Sequence, residues 1–141
     1  MGGQVAPRAN PLAGFYDTKV TVPGQTETMM AGVPWNSKLF YACEQEVTQV
    51  PAGAVVLAGG PDMKIQAFKV GLRTYAFAFH FECDQAGILA TAEGSKSAYG
   101  GSTAADIQGQ IDAHYPNAAR IADRLCVNLA TYLFPALTRL V

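Results

Sequence analysis

The stretch YAFAFHFECD, Tyr75–Asp84, decides how this chain is read. Its run of aromatic and aliphatic residues reads as a buried strand, part of a strand expected over Arg73–Glu82. The run closes on an imidazole and a carboxylate, His80 and Glu82. In a strand, residues i and i+2 project from one face, so these two side chains are expected to stand together, with Cys83 on the opposite face. A carboxylate beside one imidazole nitrogen fixes the tautomer and supports the protonated ring. That is the base-and-orienter half of a nucleophilic triad, which also needs a nucleophile. The same pair occurs at ordinary solvated strand ends, so spacing alone does not assign catalysis.

Outward from this stretch, the preceding half is strand-rich. Gly71 starts a tight turn that joins the strand to another expected over Ile65–Gly71. Further strands are expected over Phe15–Val22, Lys38–Val47 and Ala54–Gly60. Turns fall at Pro23-Gly24 and Val50–Gly53, and one short helical turn fits within Thr26–Pro34. Residues 1–14, rich in Gly, Pro and Asn, read as irregular. Gly59-Gly60-Pro61-Asp62 lacks the Lys-Ser/Thr of a phosphate loop and reads as a turn.

The pattern changes after Asp84. Ser97–Thr103 reads as a loop, with Thr103 and Asp106 as a capping arrangement for a helix over Ala104–His114. His114 then falls at a helix C-terminus. Pro116 suits the first position of a second helix. That helix shows one apolar face, Ala118, Ile121, Ala122, Leu125, Leu129, Tyr132 and Leu133, and Pro135 is expected to end or kink it. Arg120, Asp123 and Arg124 form its solvated side. Trp35 reads as a partly buried anchor and Cys126 as a core thiol.

Composition bounds the rest. The chain has 141 residues, 50% of them apolar, with a formal net charge of −1. A single domain of this length buries roughly two-thirds of its unfolded surface. Lys and Arg are scattered singly, which argues against nucleic-acid and anionic-membrane partners. The three cysteines, Cys43, Cys83 and Cys126, form no CxxC pair. No metal site or cofactor is therefore expected, and reduced thiols in a cytoplasmic protein are the default. No signal-peptide core precedes the first strand, and no run approaches the roughly 20 apolar residues of a membrane span.

The segment AFAFHFE resembles the "QFHPE" or "QFHFE" segment of class I glutamine amidotransferase domains. GGQVAPRANPLAGFYDTKVT is similar to the family's segment after the nucleophile helix, and VPAGAVVLA and QAF match its middle portion. The order and spacing of these pieces carry the resemblance over about residues 2–90, and the remainder matches more loosely. It implies an α/β fold: the C-terminal part of a flavodoxin-like amidotransferase domain, residues 1–141 being one partial domain. Strand-rich residues 15–82 would be followed by C-terminal helices.

In this family a cysteine on a Gly-x-Cys-x-Gly turn attacks the side-chain amide of glutamine, and ammonia passes to a synthetase domain or subunit. The resemblance implies His80 as the base and Glu82 as its orienter. None of the three cysteines lies in a Gly-x-Cys-x-Gly setting. The family places its nucleophile ahead of the part matched here, so the chain is expected to lack that segment and to be inactive alone. A separate chain or self-association would then cover an exposed sheet edge. Where the family has Trp-His-x-Asp, this sequence has Cys43, Glu44 and Glu46. Two other readings stay open: a non-catalytic binding or regulatory module, and a peptidase or cysteine-hydrolase relative of the same architecture.

Overall fold

Two long strands, β1 (Gln4–Val20) and β2 (Asn36–Gln49), run antiparallel and form the backbone of the fold. The computed structural model describes residues 2–94 and 104–134. A helical turn, α1 (Val22–Gln25), and a 3-10 turn at Thr28–Met30 connect the pair. Strands β3 (Ala54–Gly59), β4 (Ala67–Val70) and β5 (Thr74–Phe77) complete an antiparallel five-stranded sheet in the order β2-β1-β3-β4-β5. Two helices follow, α2 (Gln85–Gly94) and α3 (Ala104–Leu133). This is the expected sequence of a strand-rich part and C-terminal helices.

Several boundaries differ from expectation. Residues 4–14 are not irregular but form the first half of β1. Pro7 and Pro11 are accommodated because the β1–β2 register shifts between Pro7 and Leu12, where the ladder is interrupted. Pro23-Gly24 lies in α1 and not in a simple turn; the Thr21 hydroxyl caps it by accepting from Gly24 N–H at 3.1 Å. The tight turn at Gly71 is present, with φ of 60°.

Helix α3 runs for 30 residues straight through Pro116, where two helices were expected. A proline inside a helix costs about 3 kcal/mol relative to alanine. Burial opposes that cost on both sides. Ile107 and Ile111 pack with Phe15, Phe40 and Ile88, whereas Ile121 and Leu125 join Met30, Leu39 and Tyr41. Each such side chain contributes roughly 1.5–3 kcal/mol when buried, so four outweigh one proline. Asn128, also buried, donates from Nδ2 to the carbonyls of Met29 and Ala31 at 2.8 and 2.9 Å. It ties the end of α3 to the 3-10 turn.

Four side-chain placements differ from expectation, three of them on α3. His114 lies inside α3 with its ring 5.7 Å from that of Phe15, not at a helix end. Cys126 and Tyr132 are exposed, whereas Asn128 is buried. Trp35 is 62% exposed and contributes its backbone carbonyl to Val20 N–H, so it is no buried anchor. The loop expected over Ser97–Thr103, the Thr103 cap and the effect of Pro135 lie outside the described residues.

Candidate functional site at the turn after the last strand

The segment expected to be one strand through Glu82 leaves the sheet earlier. Its last ladder pair is Ala67 with Phe77, followed by one bond from Ala78 N–H to the Gln66 carbonyl at 2.8 Å. The chain then passes to the other edge of the sheet, where His80 N–H donates to the Phe40 carbonyl of β2 at 2.9 Å. The Cys43 thiol donates to the Ala78 carbonyl at 3.4 Å. Residues 78–80 thus bridge the two edges of the curled sheet. Phe77, Phe79 and Phe81 form a ring cluster with centroids 5.3–6.2 Å apart, and Phe79 also meets Tyr41. That aromatic packing anchors one side of the segment and leaves His80 and Glu82 on the other.

The structure brings the two sequence-predicted site residues together. His80 Nδ1 lies 2.7 Å from Glu82 Oε1. The His80 ring sits 6.2 Å from that of Phe40, and its side chain is 38% exposed. Burial pushes the Glu82 carboxyl upward. The hydrogen bond and charge of His80, with Glu82's own backbone N–H, outweigh that effect and hold it below the usual carboxylate range. Glu82 is therefore ionised at neutral pH, the state an orienting carboxylate requires.

Cys83 does not point away from the pair. Its sulfur, a His80 ring nitrogen and a Glu82 oxygen all lie within 4.8 Å of one another. The reason is local: Phe81 and Glu82 form a turn, so the alternation of an extended strand ends before Cys83. The turn leads into α2, which Asp84 caps. Asp84 Oδ1 accepts from Gly87 N–H at 2.8 Å and its carbonyl from Ile88 N–H at 2.9 Å. Burial, reinforced by the Glu82 and Asp84 carboxylates, pushes the Cys83 thiol up. The thiol stays protonated at neutral pH and is a weak nucleophile.

A cavity of about 220 Å³ opens beside the pair, lined by His80, Glu82, Cys83, Phe40, Tyr115 and Asp123 among others. Cys126 also reaches its wall. Cys43 is pushed up chiefly by burial, partly offset by the Ala42 backbone and Arg8. At the divergent segment, Glu46 pairs with Arg8, whose guanidinium also donates to the Asp62 carbonyl at 2.8 Å. Cys43 thus bonds β2 to the segment that carries His80, and Glu46 bonds β2 to β1.

No protein-family model matches the chain, and neither does any curated protein. Solved structures do. A glutamine amido transferase from Methylobacillus flagellatus is 17% identical, with a TM-score of 0.71 over 94% of this chain and 57% of that one. A glutamine amidotransferase from Thermotoga maritima is 16% identical, with a TM-score of 0.72 over 94% and 56%. A GMP synthase component from Thermoplasma acidophilum is 23% identical, with a TM-score of 0.53 over 70% and 50%. The chain has the fold of part of a class I glutamine amidotransferase domain. It spans little more than half the length of the structures it matches.

Proposed function

We propose that this chain supplies the base and its orienting carboxylate, His80 and Glu82, to hydrolysis of the glutamine side-chain amide. The observation that carries this reading is the 2.7 Å contact between His80 Nδ1 and Glu82 Oε1 at the cavity. It occurs in a fold shared with glutamine amidotransferases. His80, held by Glu82 through Nδ1, keeps its other nitrogen for a thiol proton and then delivers that proton to the leaving ammonia. The nucleophile is a cysteine of a further segment, on a Gly-x-Cys-x-Gly turn, a setting that none of Cys43, Cys83 and Cys126 has. Residues 1–141 act as one partial domain. Ammonia passes to a synthetase domain or subunit, and the cytoplasm is the compartment in which such thiol chemistry persists.

Ammonia release from glutamine tests the reading. The chain alone is expected to release none above background. The assembled protein that includes a nucleophile segment is expected to lose at least about 100-fold in kcat on His80→Asn. Turnover by the chain alone, or an assembled enzyme indifferent to His80→Asn, overturns the assignment. A non-catalytic module is the second reading. It is favoured by Cys43 and Glu46, whose side chains serve packing where the family carries Trp-His-x-Asp.

A further inference from the structure

The turn after β5 gathers three different metal-ligating side chains. A His80 ring nitrogen, a Glu82 carboxylate oxygen and the Cys83 sulfur lie mutually within 4.8 Å. On a tetrahedral zinc ion, with bonds of about 2.0–2.3 Å, ligand atoms stand roughly 3.3–3.7 Å apart. No pair is therefore more than about 1.5 Å too wide, and His80 Nδ1 and Glu82 Oε1, 2.7 Å apart, separate to admit the ion.

The backbone is held on both flanks of the cluster. His80 N–H is bonded to Phe40 O, and Asp84 is committed to capping α2. Asp84 is thereby occupied, and the three candidate ligands lie between fixed points. All three also line the cavity of about 220 Å³, which leaves room for a fourth ligand. The absence of a CxxC pair argued against a zinc site from sequence, but here the ligands are collected by a turn and not by cysteine spacing.

The donor set selects the ion. Magnesium and calcium take oxygen ligands almost exclusively, whereas zinc accepts imidazole, carboxylate and thiolate together. We propose that His80, Glu82 and Cys83 form a three-ligand site for a zinc-type divalent cation, its fourth position open to the cavity. A bound cation reverses the local field around the Cys83 sulfur, and the thiol proton leaves to solvent. The ion uses the same imidazole and carboxylate as the proposed dyad, so cation binding and base chemistry are alternative states of one turn. The site itself rests on the geometry and not on the glutamine reading.

Cobalt(II) titration of the 141-residue chain under reducing conditions reads thiolate ligation through a near-ultraviolet charge-transfer band. Zinc calorimetry reads stoichiometry and affinity. One ion per chain is expected. The band should vanish in Cys83→Ser and persist in Cys43→Ser and Cys126→Ser. Zinc affinity should fall at least about tenfold in Glu82→Gln. A second measurement needs no variant: zinc should slow alkylation of Cys83 relative to Cys126 in the wild-type chain. No band, a band that survives Cys83→Ser, or Cys83 alkylated equally fast with zinc overturns the proposal.

Discussion

Glu27 illustrates how a single residue ties distant strands. Its carboxylate accepts from Lys69 Nζ at 2.7 Å and from the Tyr75 hydroxyl at 2.6 Å, and its side chain is 14% exposed. Burial raises the Glu27 carboxyl, but the bonds from Lys69 and Tyr75 and the Lys69 charge bring it below the usual range. Lys69 is raised, chiefly by its bond to Glu27, and Tyr75 is raised by burial and then by Glu27. A depressed carboxylate stabilises above its unfolded value, about 4.3, and that contribution fades as pH falls through the lower folded value. The raised Lys69 and Tyr75 stabilise below their unfolded values, about 10, and their contribution fades as pH rises through the higher folded ones. Denaturant unfolding from pH 3 to 11 should therefore show a plateau that falls at both ends. Glu27→Gln should cost about 1–3 kcal/mol on the plateau and flatten the acid limb. Gly14 is a second sensitive residue, with φ of 136°. A Cβ there would lie 2.6 Å from Gln110 Oε1, the atom that accepts from Phe15 N–H. Gly14→Ala should lower the unfolding free energy by about 1–3 kcal/mol, measured by urea denaturation.

At the scale of elements, α3 carries its one internal proline against its local preference. Pro116 is exposed, so its replacement disturbs no core contact. Pro116→Ala restores a backbone donor inside the helix and should raise the denaturant midpoint, by the equivalent of about 1–3 kcal/mol. An unchanged or lowered midpoint would show that the helix needs a proline-induced bend there. The period of the apolar face over Ala118–Leu129 was legible because helical spacing is local. The continuity of α3 was not, because the packing that outweighs Pro116 comes from Phe15, Phe40 and Leu39 on other elements. The first half of the strand Gln4–Val20 was hidden in the same way: two prolines argue against a strand until a register shift in the β1–β2 ladder takes them up.

For the whole molecule, the sheet leaves β2 and β5 as its edges, and residues 78–80 bridge between them. Large apolar side chains remain at the surface, including Val22, Trp35, Leu72 and Phe134. Among the described residues, no helix is long and apolar enough to cross a membrane. A chain of this fold that spans about half the length of its structural neighbours is expected to associate, with itself or with a complementary segment. Sedimentation should report species larger than 14.9 kDa at micromolar concentration. The single tryptophan, Trp35, serves as a probe: a blue shift of its emission on association would place it at the covered surface. A monomer with sharp, cooperative unfolding would count against the expectation.

The sequence by itself determined the strand-rich order between Phe15 and Phe77 and the helical face of the C-terminal part. Each depends on residues a few positions apart, whose spacing sets which side chains share a face. Only the tertiary structure decided where the stretch Tyr75–Asp84 stops being a strand. Its partner changes from Gln66, beside β4, to Phe40 on the far edge strand β2, and local periodicity carries no record of that exchange. The same turn brings Cys83 beside His80 and Glu82, which strand alternation had placed on the far face. Backbone hydrogen bonds between elements distant in sequence set the chemistry available at this turn.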